Sequence, residues 1–168
     1  MLLCGLLLLT CLPSAVSSQG RRAVVPTCVV RRIIDGDTFE CVLRRKPVMI
    51  RLLGVDAPEL RQKPFGGQAK DFLAHLLPAR DSIMLDMDVR ETDRYGRLLA
   101  YAWNDSAVMI NEELLRAGLA LVDIQQPNVK YAEELRAAAD TARRRKVGLW
   151  ATNGFDCAPA NFRHKKCQ

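Results

Sequence analysis

Histidine is nearly missing from this chain: its 168 residues hold only His75, within a helical pattern, and His164, near the end. An imidazole acid–base pair, or a metal centre built on imidazoles, is poorly supplied by so few. No CxxC motif and no Cys/His cluster occurs, which argues against zinc. A Walker-type phosphate loop is absent, and so is any internal repeat. The long apolar run Leu2 to Leu12 falls short of the about 20 residues that a standard transmembrane helix needs.

Small residues follow that run at Ser14, Ala15, Ser17 and Ser18, which makes residues 1–19 read as a secretory signal peptide. The expected destination is therefore secreted or periplasmic, with an uncleaved, membrane-tethered form as the alternative. The remaining length allows one domain with a real core, residues 20–152, followed by a basic, cysteine-containing tail, residues 153–168. The net charge of +6 is placed unevenly. From Arg143 onward seven Lys or Arg face a single acid, Asp156, and the rest of the chain is balanced. A basic end attracts polyanions through salt-sensitive phosphate contacts; its plainer reading is a solvated helix face and tail.

Removing the signal leaves Cys28, Cys41, Cys157 and Cys167, and an even number in an exported chain reads as disulfides. Four cysteines permit three pairings. Cys157 with Cys167 is the easiest, since it pins a short polar tail. Cys41 shares a face with Phe39 and Leu43, so a buried thiol is the alternative there.

Strand patterns run over Val24 to Ile34 and Thr38 to Leu43, split by an Asp-Gly hairpin signal, then over Val48 to Leu53, Ser82 to Val89 and Leu98 to Trp103. Helical spacing marks Gln68 to Leu77, stopped by Pro78, then Met109 to Ala117, ended by Gly118, and finally Val129 to Lys146. Short strands with interspersed helices predict an α+β domain.

Several charged residues interrupt apolar segments. Asp37 lies in Ile33-Ile34-Asp35-Gly36-Asp37-Thr38-Phe39, while Arg51, Asp56 and Glu59 lie in Val48-Met49-Ile50-Arg51-Leu52-Leu53-Gly54-Val55-Asp56-Ala57-Pro58-Glu59. A charge in such a run costs several kcal/mol unless it is paired, hydrogen-bonded or metal-bound. Each of these groups therefore needs a partner. Acidic oxygen donors suit a hard cation such as Ca²⁺, and arginine forks match phosphate oxygens.

Asp35-Gly36-Asp37-Thr38, then Arg51 through Glu59, then Thr92-Asp93-Arg94-Tyr95-Gly96-Arg97 closely resemble the three signature blocks of the staphylococcal nuclease-like (thermonuclease) family. The resemblance covers roughly Val29 to Trp150, with Asn111 to Ala120 and Val147-Gly148-Leu149-Trp150 in the same order. It implies a five-stranded OB-type β-barrel with three packed α-helices. It also implies Ca²⁺ held by Asp37, Asp56 and the main-chain carbonyl of Ala57. Glu59 is then the general base that activates water, and Arg51 and Arg97 neutralise the scissile phosphate. Arg94 and Tyr95 are candidates for substrate contact, since aromatic stacking tolerates any base.

Arg51, a cation in mid-strand, is the hardest to explain structurally; plainer readings exist for the others, ordinary turn packing for Arg94 and Tyr95. Asp37 and Asp56 can serve turn geometry, Glu59 can be an exposed loop residue, and Arg97 can be a surface arginine. Asp35 is expected to play a supporting part at most. A departure from the family lies in Leu121 to Pro127, where tyrosines that stack on the nucleotide are common and this chain offers Asp123 and Gln125. The expectation is an exported, monomeric, Ca²⁺-dependent endonuclease that cleaves DNA and RNA at P–O5′ and leaves 3′-phosphate ends. The alternative is a non-catalytic OB-type module that binds nucleic acid or protein.

Overall fold

A computed structural model describes residues 25–167; the expected signal peptide lies outside the described residues. The strand β1 (Thr27–Ile33) alternates buried Cys28 and Val30 with exposed Thr27, Val29 and Arg31, the period of a half-buried strand. It pairs antiparallel with β2 (Thr38–Leu43), and a register shift between Val30 and Arg32 interrupts the ladder. That bulge sends two consecutive arginines toward one carboxylate: Arg31 Nη1 donates to Glu40 Oε1 at 2.5 Å and Arg32 Nε to Oε2 at 2.6 Å. Arg44 and Arg45, with φ of 49° and 65°, make the tight turn into β3 (Lys46–Leu52).

The barrel closes through β5 (Ser82–Asp86) and β6 (Leu98–Trp103) in the order β1-β2-β3-β6-β5. The β3–β6 pair is parallel, with Arg51 beside Leu99 and Leu52 beside Ala100. Phe39, Ile50, Leu52, Leu85 and Tyr101 are fully buried and belong to the barrel core. Helix α1 (Phe65–Leu76) buries Ala69 and Leu73, α2 (Ile110–Arg116) buries Leu114 and Leu115, and α3 (Ala132–Arg144) buries Leu135 and Ala138. The three main helices are as the sequence pattern predicts, and the closed five-stranded barrel is as the family resemblance implies.

The differences have local causes. Two short strands, β4 (Gly54–Asp56) and β7 (Leu121–Asp123), form a separate antiparallel pair that is too short to show a period in sequence. Helix α1 begins at Phe65 rather than Gln68, because Gly66 and Gly67 are helical here despite their poor propensity. The β5 strand stops at Asp86 rather than Val89, and α3 starts at Ala132 rather than Val129. Lys130 and Tyr131 reach back to Asp86 at 2.7 Å each, and the Lys130 N–H donates to Asp88 at 2.9 Å. Those contacts hold the segment before α3 on the barrel wall.

Cys28 and Cys41 form a disulfide, which rules out the buried thiol at Cys41, and Cys157 bonds to Cys167. Inside that second loop lies a fourth, unexpected helix, α4 (Pro159–Arg163). No helix among the described residues is long and apolar enough to cross a membrane.

Candidate active site

Three neighbouring chain segments bring the acidic residues together. Asp37 immediately precedes β2, Thr38 is the register partner of Arg51 in β3, and Leu52 N–H donates to the Asp37 carbonyl at 3.0 Å. The chain then turns through Leu53 into β4, which ends at Asp56. A Cβ at Gly36 would lie 2.6 Å from Ala57 Cβ and 2.7 Å from Ala69 Cβ. Only glycine allows the Asp35–Asp37 loop to approach the Asp56–Ala57 segment so closely. The approach is sealed by the Ala57 N–H, which donates to Asp37 Oδ2 at 2.8 Å.

Asn111, fully buried in α2, holds the turn between Arg51 and Asp56. Its amide donates to the Leu53 carbonyl at 2.8 Å and its oxygen accepts the Ala102 N–H at 2.9 Å. The turn is thereby fixed to β6.

Arg51 is the cation in mid-strand, and its surroundings explain it. Nε lies 3.2 Å from Asp37 Oδ1, Nη2 lies 3.7 Å from Asp56 Oδ1, and Nη1 donates to the Leu52 carbonyl at 2.6 Å. One interior guanidinium thus serves two buried carboxylates. The balance is incomplete: burial, with some help from the neighbouring Asp35, pushes the Asp37 carboxyl above its usual range even though Arg51 pulls it down.

Arg97 is placed by its own turn. Asp93 accepts the N–H groups of Tyr95 and Arg97 at 2.9 and 3.0 Å and the Arg97 Nε–H at 2.7 Å. Burial works against the Asp93 carboxylate, but the hydrogen bonds from Arg97 and Tyr95 outweigh it and hold its pKa below the ordinary value. Arg97 Nη1 also reaches Thr38 Oγ1 at 3.4 Å, and that hydroxyl donates to Asp37 Oδ1 at 3.1 Å. Tyr95 is exposed, with the Arg94 and Arg97 guanidinium carbons 4.8 and 5.6 Å from its ring centre.

Glu59 is held by Gln62. The Glu59 N–H donates to Gln62 Oε1 at 2.9 Å, and Gln62 Nε2 donates to the Cys157 carbonyl at 2.9 Å. A Cβ at Gly66 would sit 2.1 Å from the Glu59 carbonyl, so the close packing of α1 on this loop requires glycine there.

The contact that sequence reasoning missed is Arg163, at the end of α4. Its Nη1 lies 2.9 Å from Asp56 Oδ1 and 2.8 Å from Glu59 Oε1, and Nη2 lies 3.0 Å from Asp56 Oδ2. The signal available in sequence is an arginine enclosed by two cysteines, within a segment whose composition reads as a basic tail.

These groups share one cleft of about 1010 Å³, whose wall includes Asp37, Arg51, Ala57, Glu59, Arg94, Tyr95, Arg97 and Arg163. Asp123 and Gln125 also line the cleft and bond to each other at 2.8 Å, and among the described residues Tyr95 is the single aromatic in the lining. Asp56 is not on the wall; Arg163 is.

Among the described residues no three His, Cys, Asp or Glu side chains converge as a complete cation cage. The donor chemistry nevertheless fits a hard divalent cation with an open shell. Two buried carboxylates share one interior guanidinium, and the negative charge left over is met here by the cationic Arg163. A cation with oxygen preference satisfies the same carboxylates, with water and phosphate completing its shell.

Residues 49–152 match the family described as staphylococcal nuclease homologue. The chain is similar to a thermonuclease of Staphylococcus hyicus, at 38% identity over 130 residues, covering 74% of this chain and 76% of that protein. It is similar to a thermonuclease of Staphylococcus intermedius, at 34% identity over 73% of this chain and 74% of that one. A third relative is endonuclease YncB of Bacillus subtilis (strain 168), at 34% identity over 74% of this chain and 61% of that protein.

Proposed function

Because this chain belongs to the family of staphylococcal nuclease homologues and is a nuclease, a phosphodiesterase, we propose that it is an exported, Ca²⁺-dependent endonuclease hydrolysing DNA and RNA at P–O5′ to leave 3′-phosphate ends. The observation that carries this reading is that buried Asp37, Glu59 and the guanidiniums of Arg51 and Arg97 line one cleft, with the second buried carboxylate, Asp56, 3.7 Å from Arg51 behind its wall.

Asp37, Asp56 and the Ala57 carbonyl would hold the cation. When bound, it supplies Lewis-acid polarisation of the phosphate oxygen. The Arg51 fork neutralises the non-bridging oxygens, a contribution of about 3 kcal/mol to the transition state for a well-placed donor. Glu59 orients a water in line with the leaving oxygen and accepts its proton. The water oxygen bonds to phosphorus, the P–O5′ bond breaks, and Arg97 stabilises the departing 5′-oxygen until it is protonated. Arg94 and Tyr95 receive the neighbouring nucleotide, with Tyr95 exposed for stacking on any base.

In this reading the carboxylates and arginines would meet phosphate and water rather than sugar, which is compatible with action on both nucleic acids. Two disulfides fit an oxidising compartment and support export. Residues 20–152 form the catalytic domain of this reading, acting as a monomer whose partner is its substrate, and residues 153–168 form the tail.

The test is end-group analysis. The purified chain from residue 20 is incubated with single-stranded DNA, duplex DNA and RNA in Ca²⁺, and the fragments are labelled with and without prior 3′-dephosphorylation. Internal cuts on all three substrates with 3′-phosphate ends are expected. Ends bearing 3′-hydroxyl contradict the bond assignment, and intact substrates contradict the activity.

A further inference from the structure

The C-terminal tail is tied down, although most of its residues from Ala160 onward are exposed. It is closed into a loop by Cys157–Cys167, with the two Cα atoms 5.8 Å apart, and it touches the active-site loop at two points. One is the Gln62 side chain, which binds the Cys157 carbonyl at 2.9 Å while also capping the Glu59 N–H. The other is Arg163, whose fork takes both oxygens of Asp56 at 2.9 and 3.0 Å and one oxygen of Glu59 at 2.8 Å.

The geometry of Asp56 gives this contact its consequence. Oδ1 already faces Arg51 Nη2 at 3.7 Å and accepts from Arg163, while Oδ2 accepts from Arg163. Both oxygens of the carboxylate are thus committed to guanidiniums, and Arg163 rather than Asp56 lines the cleft. A guanidinium and a divalent cation carry the same sign and need the same oxygens, so they exclude each other there. Glu59 is held by the same fork at 2.8 Å.

Arg163 is suited to give way. Its side chain is 41% exposed, so leaving Asp56 returns it to water rather than to an apolar interior. The disulfide loop keeps it beside the cleft after release and favours its return.

We propose that Arg163 is a positioning residue that occupies the cation site: it holds Asp56 and Glu59 in the cation-free protein and competes with the divalent cation for Asp56. This rests on the reading of Asp56 as a cation ligand. Apparent cation affinity is then multiplied by the fraction of molecules in which Asp56 is free, so a latch closed nine times in ten weakens binding about tenfold. Deleting the latch strengthens binding, which is the opposite of what losing a structural contact does.

The experiment is calorimetric titration of Ca²⁺ into the chelator-stripped chain from residue 20, as wild type, Arg163→Gln and Arg163→Lys, each checked for folding by thermal unfolding. Arg163→Gln is expected to bind Ca²⁺ at least about fivefold more tightly than wild type, the shift for a latch closed four times in five. Arg163→Lys keeps the charge without the fork and is expected to fall between them. Equal or weaker binding by Arg163→Gln, or by Arg163→Lys if the glutamine variant does not fold, overturns the proposal. Cleavage by wild type at saturating Ca²⁺ alongside unchanged affinities refutes the latch alone, whereas absent cleavage by wild type refutes the nuclease reading. Absence of Ca²⁺ binding in every form overturns the competition.

Discussion

Arg51 in β3 and Asp37, just before the neighbouring β2, form an ion pair, with Nε 3.2 Å from Oδ1 and both side chains almost withdrawn from water. The guanidinium plane is fixed further by its bond to the Leu52 carbonyl. A lysine at this position keeps the charge but has neither the plane nor the second nitrogen to reach Asp56. Arg51→Lys is expected to lower kcat by about a hundredfold or more while Tm changes little. Cleavage kinetics and thermal unfolding of the same preparation measure both; a near wild-type kcat would remove Arg51 from the chemistry.

Asp37 shows the opposite face of that pair. Burial raises its pKa from the ordinary 3.8, so its contribution to stability is full below that value and is lost as pH rises through the folded pKa. In cation-free protein at neutral pH the ionised group is therefore a cost. Asp37→Asn removes that cost and the ligand together. Its Tm in chelator at pH 7.5 is expected to rise by about 2–4 °C, the shift that about 1 kcal/mol gives at this size, while cleavage is lost. A lower Tm would show that the Arg51 and Ala57 contacts outweigh burial.

Asn111 is a structural counterpart, since its one side chain satisfies the Leu53 carbonyl and the Ala102 N–H inside the core. Asn111→Ala orphans both groups at about 1–3 kcal/mol each. Urea unfolding is expected to show a loss of about 3 kcal/mol, and a loss under about 0.5 kcal/mol would mean that the backbone groups find other partners.

Much of this arrangement was legible in the sequence because it violates ordinary patterning. Asp37, Arg51 and Asp56 interrupt apolar runs, and the structure supplies the mutual partners that such charges demand. Arg163 violates nothing: it sits in a polar tail, and its partners lie 104 and 107 residues away, where no local period reports them. The β4–β7 pair escaped for a related reason, since three residues cannot express an alternation. The disulfide choice at Cys41 required the β1–β2 pairing, which sets Val30 opposite Cys41 and brings the Cys28 and Cys41 Cα atoms to 5.8 Å.

Asp93 sets an acid limit on the Arg94–Arg97 turn. Its pKa lies below the ordinary 3.8, so the stability it contributes is present above that value and is lost as pH falls through the folded pKa. Wild type is expected to exceed Asp93→Asn by about 1–2 kcal/mol at pH 6, with the gap closing below about pH 4. Thermal unfolding of both proteins from pH 6 to pH 3 measures it; a gap independent of pH would assign the effect to packing rather than charge.

That two buried carboxylates join a hard cation to the scissile phosphate is tested most directly by following cleavage of single-stranded DNA as the cation is changed. The stripped chain is assayed in EGTA, in Ca²⁺ and in Mg²⁺, with the Asp56→Asn variant alongside. Cleavage in Ca²⁺, none in EGTA, and weak activity in Mg²⁺, which holds its waters and demands stricter octahedral geometry, is the predicted result. Asp56→Asn is expected to be inactive in all three. Undiminished cleavage in EGTA, or by Asp56→Asn in Ca²⁺, would contradict it.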